Sequence, residues 1–197
     1  MEVPIFPLNG AVLFPGTSLP LNIFESRYIE MIDYSLARNR FIGMIQKNTN
    51  NELYKIGCIG KIHSFSETND GRYLISLQGT NCFKVIKEIE KKYSFRLVDA
   101  EIISNNEDVN FLNDNQKNHL IQKYKKYIYI KNINLSFEEV EKIEISQIIK
   151  FIAMVSPFKD EDKQVLLETQ NLTDFYNKLL SIIELELVGD FSSKTIN

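Results

Sequence analysis

Ile5-Phe6-Pro7-Leu8, then Leu13-Phe14-Pro15-Gly16, then Leu19-Pro20-Leu21-Asn22-Ile23-Phe24-Glu25-Ser26-Arg27-Tyr28 is the stretch that decides the fold class. Pro4, Pro7, Pro15 and Pro20 punctuate short apolar segments, and proline is tolerated in a sheet mainly at edges, bulges and strand starts. Gly16 after Pro15 predicts a turn, because proline pre-sets the first turn position and glycine takes positive φ at the next. Leu19 to Phe24 reads as a strand. From Ser26 the period changes: Tyr28, Ile29, Ile32 and Leu36 fall at helical spacing, leaving Glu25, Arg27, Glu30 and Asp33 for solvent. The local reading is strand, turn, strand, helix.

Outward from there, strands continue to about residue 104. Phe41 to Gln46 is a short apolar strand. Ile56 to Phe65 and Arg72 to Leu77 flank Glu67-Thr68-Asn69-Asp70-Gly71, and Asp-Gly between two such runs predicts a hairpin. Gly79-Thr80-Asn81 reads as a break before a strand at Cys82 to Ile86, and a last strand spans Phe95 to Ile102. Many short strands with tight turns point to a small barrel or a curled antiparallel sheet. Ser104-Asn105-Asn106-Glu107-Asp108 is the boundary, dividing a β-rich lobe (1–104) from a helical lobe (105–197). In the second lobe Leu120, Ile121, Tyr124, Tyr127 and Ile128 form one helical stripe, and Ile145, Ile148, Ile149 and Ile152 form another. Ser136-Phe137-Glu138-Glu139 has the form of a capping box. Pro157 stops that helix, Asp160 to Thr169 forms a short one, and Leu172, Phe175, Leu179, Ile182 and Ile183 line a last helix expected to end near Gly189, with a frayed tail from Ser192.

The composition, 44% hydrophobic and 25% charged, is that of an ordinary globular protein. No segment approaches the roughly 18 apolar residues of a membrane span, and Glu2 and Pro4 stand where a secretory leader has basic residues. The expected compartment is the cytoplasm. Cys58 and Cys82 read as buried thiols, and with His63 and His119 they show no spacing that would pre-organise a metal. A net charge of −3 argues against nonspecific nucleic-acid binding. No cofactor is expected. The carboxylates Glu138, Glu139, Glu141 and Glu144 read as a solvated helix face, and Ser64 and Ser66 beside His63 lack an acid to orient a base. Nothing in the sequence points to an enzyme.

The opening motifs resemble the Lon N-terminal domain, the substrate-recruiting part of the ATP-dependent Lon protease. The resemblance extends to Gly79-Thr80-Asn81-Cys82-Phe83-Lys84-Val85 and to Lys159 through Glu168, and the Phe14-Pro15-Gly16 and Ile23 to Tyr28 versions look closest to free-standing bacterial members. It implies an α+β fold, a PUA-like β pseudo-barrel followed by a C-terminal helical bundle. The nearest approach to a phosphate loop, Gly57-Cys58-Ile59-Gly60-Lys61-Ile62, has the wrong spacing and no hydroxyl. The chain reaches Asn197 with no room for an ATPase or a peptidase, so the expectation is a recognition domain without a motor.

By that resemblance the expected function is non-catalytic recognition of unfolded or degron-bearing polypeptides, linked to proteolysis, through an apolar groove between barrel and helices that takes peptide by strand addition or side-chain pockets. The contact residues expected are Phe14, Leu19, Leu21, Phe24 and Tyr28, with Glu25 and Arg27 as a structural pair tying strand to helix. Two alternatives stay open: an RNA-binding PUA-like protein, which rests on fold analogy alone, and a small-ligand sensor with a pocket at the barrel mouth.

Overall fold

The computed structural model describes residues 1–90, 92–104, 112–135 and 143–194, with side chains up to Val188. The chain is α+β and divides into two compact units, Met1–Asn105 with Ser156–Glu168, and Asn106–Val155 with Thr169–Asn197. The first unit carries β1 (Glu2–Pro7), β2 (Ser18–Ile23), α1 (Ser26–Leu36), β3 (Phe41–Ile45), β4 (Ile56–Glu67), β5 (Tyr73–Ile89), β6 (Arg96–Ile102) and, after an excursion through the second unit, α4 (Asp160–Leu167). The second unit carries α2 (Asp114–Ile130), α3 (Ile145–Val155) and α5 (Leu172–Lys194).

The six strands form one mixed sheet in the order β2-β5-β4-β3-β1-β6, and β5 pairs β6 as well. β5 makes this possible by its length. Its first half lies between β2 and β4, with Ile75 opposite both Leu21 and Phe65. Its second half lies between β4 and β6, with Lys84 opposite both Ile56 and Glu101. The result is a pseudo-barrel, not a closed barrel, because β2 continues the sheet as an edge. Among the described residues the only parallel pairing is β1 with β3, where Ile5 lies opposite Gly43, so the sheet is mixed and not the antiparallel one expected.

The Phe14–Thr17 turn is built as its sequence demands. Gly16 has φ +86°, and the Thr17 N–H donates to the Phe14 carbonyl at 3.0 Å, which is a type II turn with Pro15 and Gly16 at its centre. The turn lies on β5: Gly16 N–H donates to the Gly79 carbonyl at 2.9 Å, and Gly79 N–H donates to the Thr17 carbonyl at 2.8 Å. Gly79 therefore does not break the strand, as expected from the sequence, but sits inside a continuous β5. The irregularities fall in register: between Cys58 and Gly60 and between Ile62 and Ser64 in β4, and between Val85 and Lys87 in β5 against β6. The hairpin turn is where Asp70-Gly71 predicted it, with Gly71 at φ +78°. Val3, Ile5, Ile45, Ile59, Phe83, Val98 and Ala100 meet as one buried cluster.

α4 belongs with the strands, so the division after residue 104 is only part of the organisation. Its polar residues hold it there. Lys163 and Gln164 are buried. Gln164 Nε2 donates to the Ile56 carbonyl at 3.0 Å, and Gln46 Nε2 donates to Gln164 Oε1 at 3.1 Å. Gly10 is gripped at both ends: its N–H donates to Asp160 Oδ1 at 3.0 Å, and its carbonyl accepts from Lys163 Nζ at 2.9 Å.

In the second unit the residues buried along α2 are Leu120, Ile121, Tyr124, Tyr127 and Ile128, the predicted stripe. α2 opens with a reciprocal capping box between Asn113 and Gln116. Lys123 pairs with Glu184 of α5 at 2.7 Å and Lys131 with Glu186 at 2.8 Å. α3 buries Ile145, Ile148, Ile149 and Ile152. The capping box expected at Ser136 lies outside the described residues. α5 passes the stop expected at Gly189 and runs to Lys194. Among the described residues no helix is long and apolar enough to cross a membrane.

Candidate functional site

A cavity of about 250 Å³ opens in the first unit, lined by Ile5, Phe6, Pro7 and Leu8 of β1 and its continuation, Glu25, Arg27 and Tyr28 at the start of α1, Lys47 after β3, and Ser94, Phe95 and Arg96 at the start of β6. β1 supplies the apolar floor: it pairs with β3 through Pro7 and with β6 only as far as Ile5, so Phe6, Pro7 and Leu8 run past the end of the β6 ladder at the cavity. Leu8 N–H extends the β3 pairing to the Ile45 carbonyl at 2.9 Å. Lys47 is set by Asn9, whose Oδ1 accepts from the Lys47 N–H at 2.9 Å.

Tyr28 forms one wall. Its ring meets Phe6 edge-on, centroids 4.3 Å apart, a geometry aromatic quadrupoles favour. Arg27 lies over the same ring at 4.5 Å and reaches Glu25 Oε2 with Nη2 at 2.7 Å and Nε at 2.9 Å. Burial pushes the Tyr28 phenol above its ordinary pKa, with Arg27 opposing, so it faces the cavity as a neutral hydroxyl. The opposite wall is anchored by the Ser94 N–H and Oγ, both donating to Glu30 Oε2 of α1. Phe95 stacks on Tyr93 at 4.9 Å, which extends aromatic surface beyond the cavity mouth to Tyr34.

The rim is cationic, with Arg27, Lys47 and Arg96 against Glu25. Arg96 is held by a two-pronged bond to Glu88, Nε to Oε1 at 2.8 Å and Nη2 to Oε2 at 2.7 Å. That hydrogen bond holds the Glu88 carboxyl below the ordinary glutamate value, while desolvation acts the other way. A carboxyl depressed in the folded state contributes its stability fully above its unfolded pKa and loses it as pH falls through the folded one. On acid titration below the ordinary glutamate range, the melting temperature of Glu88→Gln should therefore fall less steeply than that of the parent. Both side chains are largely in water, so the difference stays under about 1 kcal/mol. Identical acid limbs would mean the pair contributes nothing.

Of the residues expected from the sequence, Glu25, Arg27 and Tyr28 come together here. Phe14 does not: it is 1% exposed and packs inside the turn it opens. Leu19 and Leu21 are half-buried in β2 and do not line the cavity, and Phe24 stands 65% exposed beside it in sequence without reaching in. The edge strand itself is poorly suited to strand addition. The Gly79-to-Thr17 bond sets the ladder's phase, so Leu19–Leu77 and Leu21–Ile75 are hydrogen-bonded pairs and Pro20–Ser76 is not. Pro20 thus turns a nitrogen without hydrogen toward the open edge, a device that blunts pairing. Ile5, Phe6, Pro7 and Leu8 were read as strand and not as site, and Lys47, Ser94, Phe95 and Arg96 were missed because they join the cavity from sequence distances of tens of residues.

The model of the ATP-dependent protease La (LON) substrate-binding domain matches residues 2–184. The chain belongs to the Lon substrate-binding domain family. Among full Lon proteases, that of Buchnera aphidicola subsp. Baizongia pistaciae is 25% identical over 95% of this chain and 25% of its own length. Lon protease 1 of Bdellovibrio bacteriovorus is 33% identical over 43% of this chain and 12% of its own. The chain thus spans about a quarter of the first of these relatives. The solved Lon N-terminal domain protein of Xanthomonas campestris superposes with a TM-score of 0.68 at 19% identity, covering 92% of this chain and 98% of that one. The N-terminal domain of Lon protease from the Mycobacterium avium complex gives 0.67 at 16%, covering 93% and 98%. These two share the Lon N-terminal fold with this chain.

Proposed function

We propose that this Lon substrate-binding domain is a non-catalytic recognition module that binds unfolded or degron-bearing polypeptides and serves their proteolysis. The observation that carries the reading is the apolar-floored cavity of about 250 Å³ under a charged rim. Its size fits one large side chain and lies below the roughly 300–1,000 Å³ usual for small-molecule sites, which favours a peptide contact over a metabolite sensor. An apolar side chain would gain by leaving water for Ile5, Phe6, Pro7 and Leu8. The flanking peptide backbone would meet Arg27, Lys47 and Arg96 at the rim.

The test is fluorescence anisotropy of a labelled, permanently unfolded polypeptide titrated with the protein, its native form serving as competitor. Saturable binding that the native form does not displace is expected. Leu8→Asp places a charge on the floor, and Ser94→Trp crowds the mouth from an exposed position. Each should weaken binding at least about tenfold, which is about 1.4 kcal/mol, with the far-UV spectrum unchanged. Phe24→Ala should leave affinity intact. Undiminished binding by both cavity variants would remove the cavity from the site, and a flat titration of the parent would remove the function.

A further inference from the structure

Cys58 of β4 and Cys82 of β5 are direct partners across the ladder, and both are in thiol form. The kind of pair they make follows from one bond nearby. Val85 N–H donates to the Lys55 carbonyl at 2.8 Å, in the same register that sets Ile56 against Lys84. Hydrogen-bonded and non-hydrogen-bonded pairs alternate along an antiparallel ladder. Lys55–Val85 is the first kind, Ile56–Lys84 the second, Gly57–Phe83 the first, and Cys58–Cys82 the second. Non-hydrogen-bonded partners hold their Cα atoms about 4.5 Å apart with side chains on one face. That distance lies inside the window of roughly 4.4–6.8 Å that a disulfide spans.

We propose that Cys58 and Cys82 are a modification site: a cross-strand thiol pair that a hydroperoxide converts to a reversible disulfide in the folded protein. Cys58 is wholly buried, and Cys82 is 9% exposed, with its Sγ 3.7 Å from the Leu167 carbonyl at the end of α4. Cys82 is therefore the thiol that a small oxidant meets first. Its thiolate attacks one oxygen of hydrogen peroxide, the O–O bond breaks, and the hydroxide released takes a proton to leave as water. The Cys58 thiolate then attacks the Cys82 sulfur. The S–S bond forms, the S–O bond of the sulfenic acid breaks, and a second hydroxide leaves with a proton as water. Two thiols lose two electrons, and one peroxide becomes two waters. Burial limits oxidant access to both thiols, so the pair responds to sustained oxidant exposure, and the facing partner ends the reaction at the disulfide. The cross-link staples β4 to β5 at the ends of their long hairpin, which restricts the unfolded chain.

The experiment treats the folded protein with hydrogen peroxide, alkylates remaining thiols, and reads the intact mass, the non-reduced peptide map and the melting temperature. The expected product carries a Cys58–Cys82 linked peptide, has lost two hydrogen atoms, melts several degrees higher, and returns to the parent on adding dithiothreitol. Cys58→Ser should instead yield a Cys82 sulfenic acid that dimedone traps, with no rise in melting temperature. Parent protein whose two cysteines are both still alkylated after treatment would overturn the proposal. So would over-oxidised Cys82 without a cross-link, or a cross-link that forms only in denaturant.

Discussion

Phe83→Ala is expected to remove about 3–5 kcal/mol of stability and to lower the melting temperature by about 10 °C or more. Phe83 is fully buried at the centre of the cluster formed by Val3, Ile5, Ile45, Ile59, Val98 and Ala100. The loss should lie at the upper end because the hole cannot close. Two of the walls around the ring are glycines: a Cβ at Gly43 would come within 2.8 Å of the ring, and one at Gly57 within 2.7 Å. Those positions have no side chain to swing into the space, and their backbones are fixed in β3 and β4. Cavity cost rises with the volume that stays empty. Equilibrium denaturation followed by circular dichroism measures it. A loss under about 1.5 kcal/mol would mean that the cluster repacks, as volume-tolerant cores do.

Gly79→Ala should be nearly as damaging, for the opposite reason. A Cβ there would lie 2.2 Å from the Phe14 carbonyl oxygen and 2.9 Å from its carbon, and both are backbone atoms that no rotamer change can move. The Phe14–Thr17 turn must lift off β5, stretching its bonds to Gly79 and uncovering Leu13 and Phe14, each 1% exposed. Overpacking of this kind costs about 3 kcal/mol, about 10 °C in melting temperature. Gly71→Asn is the control. Nothing lies within 4 Å of a Cβ at that hairpin turn, and asparagine tolerates positive φ, so the variant should melt close to the parent. Gly79 has no positive φ that a side chain would strain, so a Gly79→Ala variant that melts like the parent would show that the turn shifts off β5 without cost.

What could be read in advance was what local rules govern. Pro15-Gly16 fixes a turn type, Asp70-Gly71 fixes a hairpin, and the spacing of Tyr28 and Ile32 fixes a helix face, so strand, turn, strand and helix were legible at the start of the chain. The stripes of α2 and α3 were legible for the same reason. Gly79 was misread because a glycine that ends a strand and one that admits another backbone look alike in one dimension. α4 read only as a short helix, yet Lys163 and Gln164 turn inward to meet Gly10, Ile56 and Gln46, partners more than a hundred residues away. Of the eleven residues that line the candidate site, three were legible, since Glu25, Arg27 and Tyr28 sit in one motif. The rest depends on β3 and β6 both lying beside β1, which no local pattern encodes.

That placement of β1 also orders events in time. Glu2 lies opposite Asp99, and Ile5 lies opposite both Arg96 and Gly43, so β1 is flanked by β3 and by the much later β6. During synthesis at about 5–20 residues per second, the apolar run at Val3 to Phe6 waits several seconds for its second neighbour. Sheets built from such distant partners are slow to form, in milliseconds to seconds. A domain that would bind unfolded chains thus passes through that state itself, its apolar β1 waiting on β6 for cover.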